Sequence, residues 1–300
     1  MKCPLCASSK TSLKDSLEVS RIVSRWQQDF GIDVRSEFGS VSVIEFHACA
    51  NCALIFFKPD SLTGSPRLYE ALEKIDWYYL PKKWEHDAAL QDMRDSQNGI
   101  EIGCGFGAFV SRVIAEKNIP FEGCEQNPSA VRIGQANGIP VRLESLEDLA
   151  SRRPAAYDVV CSFQVLEHVT SPGAFLECAC TLLRPGGKLI LGLPNANSFL
   201  KHQFNLLDLP PHHMSRWTAE VVTRLQAWFP LQLVRIAYEP LADTAVDTYL
   251  DAYSNIFRRR GLGILARPGI RSSFARMIGH HRVRRFLHGQ GFYVCYVRKQ

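Results

Sequence analysis

The 300-residue sequence contains no apolar run near the roughly eighteen residues that a bilayer-spanning helix needs. Its longest candidate, "KLILGL" at 188–193, has the length of a buried strand. The amino-terminal "MKCPLCASSK" lacks the apolar stretch of a secretory signal, so a cytoplasmic protein is expected. Ten cysteines would stay reduced there, which argues against disulfides and leaves them as ligands, core residues or nucleophiles. Acidic residues run short only at the end. Residues 251–300 carry eleven Lys/Arg against a single acid, Asp251, although the whole chain has a formal charge of only +5. Such a local excess reads either as a surface for an anionic partner or as a solvated face. Otherwise the composition, 46% hydrophobic and 22% charged, is that of an ordinary globular protein, and the length allows one large domain with additions or two domains.

What is present begins with two matched pairs, Cys3-Pro-Leu-Cys6 and Cys49-Ala-Asn-Cys52. Two intervening residues let both sulfurs reach one Zn²⁺ from a tight turn, and two such turns complete a tetrahedron. The second pair sits between β-like runs, "VSVIEFHA" and "LIFF", on an expected hairpin knuckle. A helix near 17–30, with Ile22, Val23, Trp26 and Phe30 at helical spacing, fills part of the gap between the pairs. Four cysteine ligands close the site, so the expected role of the metal is structural. Four unrelated thiols, or a redox pair, are the alternative.

From residue 98 strands and helices alternate: "GIEIG", "GAFVSRVIAEKN", "IPFEGCEQ", "PSAVRIGQAN", "IPVRLE", "LEDLASRR", "AAYDVVCSF", "PGAFLECACTLL", "GKLILGLP". This alternation means βαβ units and a parallel sheet covered on both faces, with ligands beyond the carboxyl ends of the strands. The loop Gly103-Cys104-Gly105-Phe106-Gly107-Ala108 fits a dinucleotide fingerprint and also a loop for S-adenosylmethionine (SAM). Glu101, two residues before Gly103, favours SAM. A carboxylate there would repel a pyrophosphate but tolerates an ammonium and a sulfonium. Glu125, at the end of the second strand, suits ribose hydroxyls in either case. "SFQVLEHV" and "LLRPGGKLILGLPN" complete the discrimination.

With "EIGCGFG", "CEQNP", "YDVVCSFQVLEHV" and "LLRPGGKLILGLPN" in that order, the chain resembles the class I SAM-dependent methyltransferases over roughly 70–240 plus the final strand "GFYVCYVRK". The resemblance implies an α/β fold with a Rossmann-like, seven-stranded, mostly parallel sheet whose last strand is antiparallel. By it, the loop from Gly103 through Cys104, Gly105 and Phe106 to Gly107, with Glu101 before it, faces the methionine part of SAM, and Glu125 binds the ribose diol. Gln126, Phe163 and Gln164 line the adenosine pocket. The acid that the family usually directs at adenine is replaced by Ser145, followed by Leu146, with Glu144 as the alternative contact.

The expected organisation is a zinc ribbon over 1–62, an aromatic helical cap over 63–97, a methyltransferase core over 98–240 and 290–300, and a basic insertion over 241–289. In the cap, Tyr78, Tyr79 and Trp84 either wall the substrate or pack the helix. "LDLPPHHMSRWT" at 207–218 follows the fifth strand, where an acceptor should enter. His212 or His213, or His168 in "LEHV", could take a proton from an attacking hydroxyl. Adjacent side chains of an extended segment point opposite ways, so one of the pair at most is expected to face the methyl group, and the histidines are too few to define a metal site. The architecture is similar to bacterial methyltransferases acting on sugars and related small molecules, in polysaccharide or secondary-metabolite pathways. In the basic segment, Phe274, Met277, Ile278 and His281 recur at helical spacing, with Arg271, Arg282 and Arg285 elsewhere around the turn. This suggests a phosphate-bearing or lipid-linked acceptor, or else a helix covering the core. The rivals are a zinc-ribbon RNA methyltransferase, a non-catalytic SAM- or zinc-binding adaptor, and a nicotinamide enzyme. Nucleic acid is the less expected partner, because no "NPPY"-like or catalytic-cysteine signature occurs and Cys161 ends an apolar run.

Overall fold

In the computed structural model, residues 1–75, 78, 83–93, 96–259 and 268–300 are described. The chain opens with strand β1 (Thr11–Glu18), helix α1 (Val19–Phe30), a short α2 (Arg35–Phe38) and strands β2 (Val43–Cys49) and β3 (Ile55–Lys58). Helices α3 (Pro66–Leu72) and α4 (Trp84–Asp92) follow. Then come β4 (Gly99–Ile102), α5 (Ala108–Lys117), β5 (Phe121–Glu125), α6 (Pro128–Ala136), β6 (Val141–Leu143), α7 (Leu146–Arg152), β7 (Tyr157–Phe163), α8 (Pro172–Leu182) and β8 (Leu183–Pro194). After a long loop lie β9 (Ser215–Arg216), α9 (Ala219–Arg224), β10 (Leu231–Pro240), α10 (Val246–Arg259), α11 (Pro268–Gly279), α12 (His281–Arg284) and β11 (His288–Arg298).

The larger sheet has seven strands in the order β10-β11-β8-β7-β4-β5-β6. Strands β4 to β8 pair in parallel, and β11 runs antiparallel to both β8 and β10. This is the expected α/β architecture. Every residue of β7, "YDVVCSF", is buried, as a central parallel strand covered on both faces requires. Cys161 is among them and fully buried, a core thiol. The Pro-Gly-Gly of "LLRPGGKLILGLPN" lies inside β8. Pairing with β7 jumps from Tyr157↔Leu183 to Val159↔Lys188, and Gly186 takes a φ of 79°.

The smaller sheet has the order β1-β2-β3-β9. Its fourth strand comes from the loop after β8, so strands β1 to β3 share a sheet with a segment that follows the larger sheet's β8. Helix α1 buries Ile22 and Trp26, one turn apart, against Ile44, Phe57 and Leu209. It stops at Gly31, which is left-handed, with Gly31 N donating to Gln27 O and Ile32 N to Trp26 O.

The segment after β10 packs Leu241, Ala245, Val246, Ala252 and Ile278 around Phe199 of the loop after β8. The single amphipathic stripe expected there does not form. The helix breaks at His280, Ile278 turns inward, and Phe274, Met277 and His281 face outward. Arg271 is paired with Asp247 and Asp251 of α10, and residues 260–267 of the basic segment lie outside the described residues.

Candidate active site and four-cysteine centre

The carboxyl ends of β4, β5, β6, β7 and β8 lie side by side, and each delivers a feature singled out in the sequence. β4 leads into the glycine loop, where Gly103, Gly105 and Gly107 all have positive φ. A Cβ at Gly103 would lie 2.5 Å from Val165 Cγ2, so the loop can sit there only as glycine. A Cβ at Gly105 would meet nothing within 4 Å, so the loop's middle faces open space, as a cofactor cradle should. Cys104 points the other way, toward Gly123 of β5, and Phe106 is half-buried with its carbonyl against Gly134.

Glu125 closes this loop from β5. One carboxylate oxygen accepts from Gly105 N at 2.9 Å, the other from Gln126 N at 2.7 Å and Asn127 N at 2.8 Å. Gln126 itself is exposed. After β6, Ser145 caps α7. Its hydroxyl accepts from Asp148 N and donates to Asp148 Oδ2 at 2.7 Å, and Leu146 behind it is buried. Glu144 is ion-paired with Arg152. After β7, Gln164 takes a positive φ and its amide donates to Glu85 Oε1 of α4 at 3.3 Å. Phe163 is buried edge-on to His86 and Phe109.

Glu101 is buried on β4, and burial pushes its carboxyl up to about 8, with the Lys83 charge partly opposing. Its Oε2 finds no hydrogen-bond partner among the described residues. Lys83, at the start of α4, acts in the same sense on the buried Glu85 and Glu167. The sequence pattern offered no signal for Lys83 or Glu85, which enter the site only because α4 folds over the sheet.

His168 follows β7, and His212 and His213 follow β8. The three rings converge, with centroids 4.5–4.8 Å apart. The expectation that adjacent His212 and His213 point apart is corrected. Both backbone N–H groups bond to Leu209 O, and this turn stacks the rings at 26° on one side. His168 Nδ1 lies 2.6 Å from the His212 carbonyl, and His212 Nδ1 lies 2.9 Å from the Leu207 carbonyl. Carbonyls only accept, so both Nδ1 atoms carry the proton and both Nε2 atoms hold a lone pair. The Tyr78 hydroxyl donates to His212 Nε2 at 2.7 Å, and Tyr69 of α3 reaches His168. Burial lowers all three imidazoles, His168 to about 4, so they are neutral near pH 7. Glu167, Asp208 and Tyr69 are the members that sequence reasoning missed. Only the adjacency of Glu167 to His168 carried a signal. Tyr79 lies outside the described residues, and Trp84 begins α4, half-buried beside Gly291.

A concavity of about 700 Å³ lined by Asn98, Phe121, Glu122 and Tyr157 opens at the amino ends of the strands, on the side away from these groups.

The cysteines form a separate centre. Cys3 Sγ lies 3.5 Å from Cys52 Sγ, Cys6 Sγ lies 3.6 Å from Cys49 Sγ, and all four lie within 4.8 Å of one another. Sulfurs placed tetrahedrally at about 2.3 Å from one Zn²⁺ stand about 3.8 Å apart, so the set fits. The two knuckles repeat one geometry. In each, the residue after the second cysteine, Ala7 or Ala53, has positive φ and donates its N–H to the first cysteine's carbonyl.

A methyltransferase-domain family model matches residues 77–234. The chain belongs to that family. A ubiquinone biosynthesis O-methyltransferase of Xanthomonas euvesicatoria pv. vesicatoria is 33% identical over 102 residues, 32% of this chain and 42% of that protein. One from Xanthomonas oryzae pv. oryzae is 31% identical over 121 residues, 38% of this chain and 50% of that protein. The methyltransferase thus spans half or less of the length of these curated relatives. A chain of the complex between the Haloferax volcanii Trm112 methyltransferase activator and a methyltransferase superposes with a TM-score of 0.50 at 13% identity. It covers 72% of this chain and 90% of that one, a likeness of fold.

Proposed function

We propose that this methyltransferase moves the methyl group of SAM to a hydroxyl of a small-molecule acceptor bound between the glycine loop and the histidine cluster. The observation that carries the reading is the convergence of three neutral imidazoles, His212 and His213 buried and His168 half-buried, beside the carboxyl ends of β7 and β8. SAM, when bound, supplies an electrophilic methyl on a sulfonium. The open space at Gly105 and the oxygen of Glu101 that has no partner among the described residues fit its methionine end, with Glu101 facing the ammonium. Glu125 would accept from the ribose hydroxyls, since each of its oxygens keeps a lone pair beyond the backbone bonds. Ser145 and Leu146 would meet the adenine, with Gln126, Phe163 and Gln164 around the adenosine. Alignment of acceptor and cofactor supplies most of the acceleration, and an imidazole Nε2 of the cluster takes the hydroxyl proton. The cysteine centre would hold a structural Zn²⁺, closed by its four thiolates.

For the acceptor we read a sugar or sugar-linked metabolite, in keeping with the sequence architecture. Exposed Arg282 and Arg285 on the arm would suit a phosphate on it. The relatives' name points instead to an intermediate of ubiquinone biosynthesis, and an O-methyl transfer is common to both. Ten unpaired thiols suit a reducing compartment, and we place the protein in the cytoplasm.

The test is methyl transfer from labelled SAM to nucleotide sugars, to dihydroxyphenols and to RNA. Transfer to a hydroxyl compound is expected. His212→Ala or His213→Ala should slow it about 10²–10⁴-fold with SAM affinity nearly unchanged, the range for losing a general base. Transfer to RNA alone would overturn the acceptor class, and SAM binding with no transfer to any acceptor would favour a non-catalytic adaptor.

A further inference from the structure

The histidines that look too sparse in the sequence to hold a metal are assembled by the fold into a ligand set. We propose that His168, His212, His213 and Glu167 form a second metal site, distinct from the cysteine centre, for a divalent transition ion such as Zn²⁺ or Fe²⁺. One nitrogen from each histidine lies within 4.8 Å of the others. Glu167 is fully buried, and neither of its carboxylate oxygens has a hydrogen-bond partner among the described residues. Its Oε1 stands 3.8 Å from His168 Nε2 and 3.9 Å from His213 Nε2, too far for hydrogen bonds and close to the separation that a shared ion imposes. Ligands at about 2.0–2.1 Å from one ion stand roughly 3.4 Å apart in a tetrahedron, so less than an ångström and a half of closure is needed.

The outer groups are those a metal site requires. Ligating histidines give their second ring nitrogen to a carbonyl or carboxylate, which fixes the tautomer and turns the lone pair inward. Here His168 Nδ1 meets the His212 carbonyl, His212 Nδ1 meets the Leu207 carbonyl, and His213 Nδ1 lies 3.5 Å from Asp208 Oδ1. Three imidazoles and a carboxylate suit a borderline transition ion better than Ca²⁺ or Mg²⁺, which prefer all-oxygen cages. The third lone pair, on His212 Nε2, is held by the Tyr78 hydroxyl, which must yield when the ion binds. With the three Nε2 lone pairs taken, the ion would act in place of the imidazole base proposed above, lowering the pKa of an acceptor hydroxyl that enters as a fifth ligand so that its proton leaves to water. To that extent the inference rests on the proposed function.

The binding test does not. Chelator-stripped protein is titrated with Co²⁺, and both the ions bound per chain and the thiolate-to-cobalt charge-transfer band are read. Two ions per chain are expected, the band saturating with one of them. His213→Gln should lose the ion that gives no band, and Asp208→Asn should weaken it about 10–100-fold, the usual effect of removing an outer partner. Removing the competing hydroxyl in Tyr78→Phe should tighten it. Wild-type protein that takes up no cobalt beyond what develops the thiolate band overturns the proposal, whether or not the variants fold. Methyl transfer by such one-ion protein would sink the second metal while leaving the transferase reading intact. Two ions without transfer to any acceptor would do the reverse.

Discussion

Glu125 Oε2 accepts a 2.9 Å hydrogen bond from the backbone N–H of Gly105, twenty residues earlier in the chain. The bond ties the end of β5 to the middle of the glycine loop, at the one loop glycine whose missing side chain opens onto empty space rather than onto a neighbour. Gly105→Asp would place an L-residue at a φ of +56° and a second carboxylate beside Glu125. SAM binding should be abolished in a variant that still folds. Glu125→Gln should weaken it at least tenfold, because the ribose loses an ionised acceptor. Calorimetry with unchanged affinity in both variants would remove the loop from the cofactor site.

Glu101 gives the pH dependence a sign. Its carboxyl titrates near 4.5 unfolded and about 8 folded, so between those values the folded state holds the extra proton. The stability this contributes is complete below about pH 4.5 and is lost as pH rises through about 8. An ammonium bound beside it favours the carboxylate, so SAM uptake expels the proton. SAM affinity should therefore rise with pH by up to roughly tenfold per unit below about 8, then level off. Glu101→Gln should flatten that slope. An equally steep slope in the variant would assign the proton to another group.

The cysteine knuckle leans on the core, since Gly173 N at the start of α8 donates to Pro4 O at 3.1 Å and a side chain there would strike the Leu5 carbonyl. Stripping a thiolate-bound metal should lower the melting temperature and expose 1–62 to protease first, while SAM still binds the residual fold. Cys49→Ser should mimic chelation. An unaltered melting curve in both cases would leave the four thiols without a metal.

The arginines of the carboxy-terminal arm divide by role. Arg284 donates to the Gly279 carbonyl at 2.9 Å and to the Leu241 carbonyl at 3.1 Å, holding α12 against the end of β10. Arg284→Gln should cost about 1.5–3 kcal/mol, the range for hydrogen bonds from a charged group. Arg282 and Arg285 are exposed, and Arg285 rests over the Phe286 ring. Their double glutamine variant should keep its stability and raise the KM of a phosphate-bearing acceptor, an effect that shrinks at high salt. An unchanged KM would leave the arm a covering element.

The sequence by itself determined whatever depends on neighbours along the chain. The period of apolar residues announced the alternation from β4 to β8, the glycine spacing announced the turn after β4, and the two C-x₂-C pairs announced the knuckles, because turn and helix geometry are set within a few residues. Tertiary structure decided what depends on distant segments meeting. His168 meets the His212 carbonyl across 44 residues only because β7 and β8 are neighbours and the loop after β8 turns back at Leu209. The stacking of His212 on His213 reverses the extended-chain expectation for the same reason. Glu167 reads in sequence as an ordinary acid. It becomes a buried carboxylate, without a hydrogen-bond partner among the described residues, only when β9, drawn into the smaller sheet by β3, brings Met214 and Ser215 N–H groups onto the Glu167 carbonyl and seals the side chain from water. The helix periodicity near Phe274 and Met277 failed in the opposite sense, since which face of a short helix turns inward is decided by the surface it finds, here the one around Phe199 and Leu241.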